Sequence, residues 1–219
     1  MNNVIILQLL NLLTTWESKE RKMINNMKIC VYGAASSLID ESFIKEGKNL
    51  GKKMAKRNIG LVFGGGCNGM MGAVAKGVAE ENGDILGIAP AFFEESNAEI
   101  SFKYCTEFIH TETMRERKRL LEEKADAFII SPGGIGTFDE FFEILTLKQL
   151  GRHNKAICIY NINNYFDKML DMMQVGVDQK FITDDCRKLY KVYKDADSML
   201  DYIEKYNPED FDISQVKIR

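Results

Sequence analysis

Residues 59–75 of the chain read IGLVFGGGCNGMMGAVA: an apolar run, three consecutive glycines, a fourth glycine at Gly69 and a helix-like continuation. The apolar run predicts a buried strand over 59–63, and the pattern after Gly69 predicts a helix over 70–81. Glycines at such a junction let the backbone turn sharply and let an anion approach the main-chain N–H groups at the helix start. The stretch therefore predicts a strand, a phosphate-binding loop and a helix. The alternative is a tight turn that only packs the helix against the sheet.

The glycine loop at 64–69 does not match two common nucleotide-binding signatures. It lacks the Gly-Lys-Ser/Thr ending of a nucleoside-triphosphate P-loop, and its glycines do not follow the dinucleotide pattern G-x-G-x-x-G. Cys67 lies inside the loop without a nearby base in the sequence, so it is interpreted as a small loop residue and not as a nucleophile.

The alternation of apolar runs and helical patterns continues on both sides of this stretch. Strands are predicted at 28–32, 59–63, 85–89, 105–110, 127–131, 156–160 and 189–193. Helices are predicted at 42–57, 70–81, 113–124, 137–150, 165–179 and 195–206. Such alternation is typical of parallel strands joined by crossover helices. The sequence therefore predicts an α/β fold, a Rossmann-like doubly wound parallel β-sheet with helices on both faces.

The composition is that of a folded protein, with 45% hydrophobic and 28% charged residues in 219. This length fits one domain, which we place at 27–219. Lys and Arg total 29 against 32 Asp and Glu, giving a net charge of −3. Because no basic field results, we expect no nucleic-acid partner.

The first 26 residues are interpreted as an N-terminal extension that the domain can dispense with. Their uncharged run, residues 4–13, is shorter than the roughly 20 residues that a membrane-spanning helix needs. Positive charges at Lys19, Arg21 and Lys22 come after this run, whereas a secretory signal has them before it. We therefore expect a cytoplasmic protein without a membrane partner.

The cysteines and histidines do not form a metal-binding pattern. Five cysteines lie singly along the chain without a C-x-x-C pair, and there are two histidines, His110 and His153. Structural and catalytic metal sites need several such ligands close together. We therefore predict no metal site.

In doubly wound sheets, ligands bind beyond the carboxyl ends of the strands. This rule indicates three loops, at 33–37, 64–69 and 132–136. The last belongs to the stretch SPGGIGTFDE at 131–140, in which three glycines open the backbone and Thr137 can cap the helix after it or bind phosphate. The sequence thus predicts a second anion-binding loop.

Two acidic residues, Asp139 and Glu140, come directly after this second loop. With a helix starting at Thr137, both carboxylates fall in its first turn, where the helix dipole is expected to lower their pKa. Glu140 is then either a base or cation stabiliser, or a residue that only stabilises the helix end.

The helix predicted at 113–124 starts TMRERKRLL. At helical spacing Met114, Arg117, Lys118 and Leu121 share one face, and Arg115 and Arg119 point away from Arg117. An inward arginine beside two phosphate-type loops is a candidate for gripping a phosphate or orienting a carboxylate. The alternative is a solvated basic helix face.

Together, GGGCNGMMG at 64–72, MRERK at 114–118 and PGGIGTFDE at 132–140 resemble the signatures of the Lonely Guy family of cytokinin riboside 5′-monophosphate phosphoribohydrolases. The similarity runs from about residue 28 to residue 182. It departs from the family pattern after the first strand, where GAAS at 33–36 stands in place of the usual CGSS.

The resemblance implies hydrolysis of the N-glycosidic bond of a purine nucleoside 5′-monophosphate by a homodimer. The two phosphate-type loops and the lack of clustered metal ligands in the sequence predict that the reaction needs no metal or organic cofactor. The resemblance assigns the catalytic pair to Arg117 and Glu140, and it leaves open whether the base is adenine or prenylated adenine. The residues expected to bind this small-molecule substrate are Gly65, Gly66, Gly69, Met114, Lys118, Gly133, Gly134, Gly136 and Thr137.

Two other functions compete with this one. Proteins of this kind are often labelled lysine decarboxylases, but the chain has no His-Lys dipeptide of the sort found in pyridoxal phosphate enzymes of that class. Molybdenum-cofactor carrier proteins share the fold and the glycine loops but bind without cleaving. A non-catalytic carrier of a nucleotide or of that cofactor is therefore the alternative function.

Overall fold

The structure is a computed structural model and describes residues 27–95 and 100–208. In these ranges seven strands form one sheet: β1 (Lys28–Tyr32), β2 (Gly60–Phe63), β3 (Ile85–Pro90), β4 (Glu107–Thr111), β5 (Ala127–Ile130), β6 (Ala156–Tyr160) and β7 (Lys191–Tyr193). Six helices connect or flank them: α1 (Glu41–Lys56), α2 (Gly69–Glu80), α3 (Met114–Lys124), α4 (Ile135–Gln149), α5 (Asp167–Asp178) and α6 (Ala196–Lys205). A four-residue helix, Phe92–Glu95, and two short 3₁₀ helices, Ile162–Asn164 and Asp184–Lys188, complete the elements.

The sheet confirms the predicted doubly wound α/β fold. All pairings are parallel, and the strand order is β4-β3-β2-β1-β5-β6-β7. The chain builds outward from β1 in one direction as far as β4, then returns to the other side of β1 with β5. This reversal places a crevice at the carboxyl ends of β1 and β5, where ligands of such folds bind.

The five inner strands, β1, β2, β3, β5 and β6, are buried almost throughout on both faces, which explains why they read as continuous apolar runs. The edge strands β4 and β7 are partly exposed. In β1, Ile29 and Val31 contact the cluster that includes α1, α2 and α6. The alternate residues Cys30 and Tyr32 contact the cluster that includes α3, α4 and α5. Helices α3 and α4 therefore lie on the same face, so side chains from both can meet above β1.

Most boundaries differ from the prediction by one or two residues, and two of these differences have a local cause. Strand β4 begins at Glu107 and not at residue 105, because Thr106 instead uses its hydroxyl and its backbone N–H to bond the start of β3 at Ile85. Helix α4 begins at Ile135, two residues before the predicted start, because Gly136 belongs to its first turn.

Two predictions, that the protein has no membrane partner and that residues 1–26 are a dispensable extension, stay predictions. No helix within the described ranges is long and apolar enough to span a membrane. The predicted extension, residues 1–26, lies outside the described residues.

His153 carries a testable pH effect on stability. The ring Nε2 lies 2.8 Å from the carbonyl oxygen of Ile144, and Nδ1 accepts a hydrogen bond from the backbone N–H of Lys155. Because Nδ1 is the acceptor, the proton of the neutral ring sits on Nε2. Burial lowers the pKa of His153 from 6.5 to about 4. The unfolded chain thus binds the extra proton more readily, so stability present above pH 6.5 is lost as the pH falls towards 4.

We expect His153→Gln, whose amide can make both contacts without titrating, to weaken this acid dependence. The free energy of unfolding, measured with urea at several pH values from about 7 to about 4, should fall less steeply in the variant than in the wild type. Parallel curves would show that His153 does not contribute.

Candidate active site

The three predicted loops meet at Ala34, just after β1. Its backbone N–H donates to the carbonyl oxygen of Pro132 at 3.0 Å, and its carbonyl oxygen accepts from the N–H of Met71 at 3.2 Å. Gly69 has a φ of 60°, and a Cβ there would lie 2.4 Å from the Ala34 oxygen. Glycine is therefore required at Gly69 both for its backbone conformation and for this close approach.

The loop after β2 is held by a segment that the sequence did not indicate. Residues 100–102 run antiparallel beside it, with Gly66 opposite Ser101. The N–H of Phe102 donates to the carbonyl oxygen of Gly65 at 2.7 Å, and the N–H of Cys67 donates to that of Ile100 at 2.9 Å. These bonds fix the backbone of the glycine loop from its outer side.

The loop after β5 is tight on one side and open on the other. A Cβ at Gly133 would lie 2.1 Å from the hydroxyl oxygen of Thr137, so no larger residue fits there. A Cβ at Gly134 or Gly136 would have no described heavy atom within 4 Å. The open side leaves room for a ligand beside the start of α4.

Both glycine loops lead into helices whose first turns have no side-chain cap. The side chains of Asp40, Thr113 and Asp195 accept N–H bonds at the starts of α1, α3 and α6. The corresponding residues Asn68 and Gly134, before α2 and α4, make no such bond. Thr137 is the third residue of α4, so of the two roles considered for its hydroxyl, helix capping is excluded and phosphate binding stays a prediction. Uncapped N–H groups and the helix dipole favour an anion at these two positions.

Arg117 and Glu140 form a buried ion pair at this edge of the sheet. An Arg117 Nη1–Glu140 Oε1 distance of 2.8 Å joins α3 to α4. The two residues are 6% and 7% exposed. Arg117 therefore takes the inward position that the helix pattern predicted, whereas Arg115 and Arg119 are exposed.

The Arg117 guanidinium is confined and incompletely bonded. A Cβ at Gly64 would lie 2.4 Å from Nη2, so the glycine makes space for the arginine at the end of β2. Nε is the only buried side-chain nitrogen or oxygen in the described part of the chain without a hydrogen-bond partner. A buried donor in this state costs free energy unless a ligand satisfies it.

The electrostatics of Glu140 differ from the prediction. Because α4 begins at Ile135, Asp139 and Glu140 are its fifth and sixth residues and lie beyond the first turn, where the dipole acts most strongly. Burial raises the pKa of Glu140 above its ordinary value of 4.5, and the positive charge of Arg117 offsets part of the rise. The expected lowering of its pKa is therefore wrong.

Two other predicted site residues lie nearer the surface. Lys118 makes ion pairs with Asp139 at 3.2 Å and with Glu143 at 2.9 Å. Met114 is the first residue of α3 and is 39% exposed. Their substrate-binding roles, like those of the loop glycines and Thr137, stay predictions.

The site offers anion binding and a carboxylate within one crevice. Two uncapped helix starts can hold a phosphate, and Glu140 can stabilise positive charge or exchange a proton beside it. Among the described residues, no group of three or more His, Cys, Asp or Glu side chains could hold a metal ion.

Comparison with known proteins identifies relatives of this chain. The family model described as "Possible lysine decarboxylase" matches residues 71–203. The cytokinin riboside 5′-monophosphate phosphoribohydrolase LOG2 of Arabidopsis thaliana is 34% identical over 182 residues, which cover 83% of this chain and 84% of that protein. The phosphoribohydrolase LOG of Oryza sativa subsp. japonica, with the same activity in its name, is 32% identical over 182 residues, covering 83% and 74%.

Solved structures show the fold alone. The molybdenum cofactor binding protein of the phototrophic bacterium Rippkaea orientalis superimposes with a TM-score of 0.62 at 18% identity, covering 83% of this chain and 97% of that one. At 18% identity, the structural match shows only that the two proteins share a fold. The family model and the two plant relatives each match most of the chain, so they identify its family. The chain belongs to the Lonely Guy family.

Proposed function

We propose that this protein hydrolyses the N-glycosidic bond of purine nucleoside 5′-monophosphates and releases the free base and ribose 5-phosphate. The observation that carries the proposal is the buried Arg117–Glu140 pair, whose arginine keeps one donor unsatisfied at the edge of two glycine loops. The plant relatives named for this activity support the proposal.

The 5′-phosphate is the part of the substrate that the glycine loops suit. The starts of α2 and α4 present backbone N–H groups without side-chain caps, and the open space beside Gly134 and Gly136 admits a group of phosphate size. The positive charge of Arg117, whose Nη2 lies beside Gly64 at the start of the first glycine loop, also favours an anion there.

The carboxylate of Glu140 serves the bond that breaks. As the bond between the ribose C1′ and the base nitrogen breaks, its electrons leave with the base and positive charge develops on the sugar. Water then adds at C1′, and the proton that it loses balances the proton that the base gains. Glu140 stabilises the charge or accepts the proton from water, and burial strengthens the electrostatic effect because water does not screen it.

The setting of this activity is part of the same proposal. The reaction consumes only water and substrate, so we propose that it needs no cofactor. We also propose that the enzyme acts in the cytoplasm as a homodimer, and that its base is adenine or prenylated adenine.

Incubation with AMP tests the proposal directly. We expect equal amounts of adenine and ribose 5-phosphate to accumulate, at a rate that EDTA does not change, and a prenylated AMP should release its base as well. Chromatography of the base together with an assay for the sugar phosphate measures both products. AMP that binds but stays intact would reject the hydrolase and favour the carrier alternative.

A further inference from the structure

The loop after β6 brings a tyrosine to the glycine loop after β5. Tyr165 Oη donates a hydrogen bond of 2.6 Å to the carbonyl oxygen of Gly133. The two residues are 32 positions apart in the sequence, and Tyr165 lies in none of the three loops that the sequence indicated. Its side chain is 43% exposed, so core packing alone does not explain its position.

The backbone before Tyr165 is held in an unusual turn. Asn163 and Asn164 adopt left-handed φ angles of 52° and 61°, a conformation that asparagine tolerates better than most residues. The side chain of Asn161 accepts from the N–H of Phe166 at 2.8 Å and donates to Asp167 at 2.7 Å. The turn therefore has its own bonds on both sides of Tyr165.

The ring of Tyr165 is also fixed by its neighbours. It packs edge-to-face against Phe166 and Phe43, with ring centroids 5.0 and 6.1 Å away. Asn163 donates to the hydroxyl of Ser42 at 3.0 Å, which ties the turn to the start of α1. A side chain held in this way presents its hydroxyl at a defined point.

The bond to Gly133 restrains a peptide that joins two glycines. The peptide between Gly133 and Gly134 has no side chain on either residue to restrict its rotation. In a trans peptide the C=O and N–H point in opposite directions. When Tyr165 holds the carbonyl oxygen of Gly133, the N–H of Gly134 points away from Tyr165.

We propose that Tyr165 is a positioning residue that sets the orientation of the Gly133–Gly134 peptide for binding the substrate phosphate. This inference rests on the proposed function for its substrate, and it assigns a role to a residue outside the three signature stretches at 64–72, 114–118 and 132–140. Tyr165 acts through the loop, and it contributes to phosphate binding without a part in bond cleavage.

The test is Tyr165→Phe, which keeps the ring and removes the hydroxyl. Losing one hydrogen bond of ordinary strength should raise the KM for AMP and the Kd for inorganic phosphate by about 5- to 10-fold. Because the phosphate is bound equally before and during the reaction, kcat should change by less than about twofold. The inhibition constant of adenosine, which has no phosphate, should stay unchanged.

Tyr206→Phe is the matched control. Tyr206 donates to Asn154 at 3.1 Å and accepts from Lys148 at 3.0 Å, near the C-terminal end of α4 and away from the glycine loops. The variant loses hydroxyl hydrogen bonds like the one lost in Tyr165→Phe, but at a distance from the site. The KM for AMP should therefore not change. Tyr165→Ala, which also removes the ring, should weaken phosphate binding at least as much as Tyr165→Phe.

The outcomes separate this inference from the proposed function. The Kd for AMP, measured by calorimetry with Glu140→Gln in the background, reports binding without turnover. If AMP binds but is never cleaved, the proposed function fails, and weaker binding in Tyr165→Phe still supports the positioning role. Wild-type affinity in Tyr165→Phe, or a defect only in Tyr165→Ala, would overturn it. Failure of the wild type to bind AMP or inorganic phosphate would overturn both.

Discussion

Glu140→Gln is expected to lower kcat for AMP cleavage by about 100-fold or more while the Kd for AMP changes little. The amide oxygen of glutamine can still accept the hydrogen bond from Arg117, so the shape of the site is kept and the negative charge is removed. Loss of one electrostatic stabiliser of a developing charge commonly has an effect of this size. Measurements of kcat under saturating AMP and of Kd by calorimetry separate the two effects.

The pH profile gives a second signature of Glu140. Because burial raises its pKa above 4.5, the carboxylate is protonated at a higher pH than in a free glutamate. We expect kcat of the wild type to fall as the pH decreases through this raised pKa, and the residual activity of Glu140→Gln to lack that decline.

Glu143→Gln is the matched control on the same helix. Glu143 is more exposed than Glu140 and pairs with Lys118, so the same chemical change should leave kcat close to the wild-type value. Near-normal turnover in Glu140→Gln, or an equal loss in Glu143→Gln, would reject the catalytic role. Urea unfolding of each variant checks that the protein is folded under the assay conditions.

The fold was largely predictable because buried parallel strands carry a strong local signal. Runs such as KICVY at β1 and AICIY at β6 are apolar almost throughout, and both strands have the predicted bounds. The boundary errors come from local bonds that outweigh the pattern. Gly136 looks like a loop residue in the sequence but lies in the first turn of α4, so Glu140 lies beyond the helix start. The pKa of Glu140 is raised and not lowered because the side chain is buried, which its position in the sequence does not reveal.

Site residues could be predicted where the pattern within a single helix or a single loop indicates their role. Periodicity indicated that Arg117 points inward, and glycine content indicated the two anion-binding loops. Contacts between distant segments have no such signal. The bond from Tyr165 to Gly133 joins two loops, and the pairing of residues 100–102 with the first glycine loop is made by backbone groups that any sequence possesses. For the bond from Tyr165 to Gly133, the only indication in the sequence was that a tyrosine follows the predicted strand at 156–160 by a few residues.

Arg117→Ala is expected to lower kcat/KM for AMP by about 100-fold or more and to weaken AMP binding as well. The variant loses the Nη1 bond to Glu140 and the free Nε donor together. It also removes the charge that lowers the pKa of Glu140, so that pKa should rise further. Activity that remains should therefore decline at a higher pH on acidification than in the wild type. Breaking a buried pair costs about 3–5 kcal/mol, so unfolding by urea must be measured alongside.

Arg117→Lys separates the charge of the side chain from its geometry. Lysine keeps one positive charge but lacks the planar guanidinium group, which bonds Glu140 through Nη1 and has further N–H donors at fixed angles to that bond. We expect kcat/KM to fall by about 10-fold or more, with a smaller loss of stability than in Arg117→Ala, because Glu140 keeps a cation beside it. Arg115→Ala and Arg119→Ala, on the exposed side of α3, are the controls and should retain kcat/KM within about twofold of the wild type. If Arg117→Lys is fully active, or if Arg115→Ala is as impaired as Arg117→Ala, the guanidinium has no specific role in the site. The phosphate would then have to be held by the two glycine loops alone.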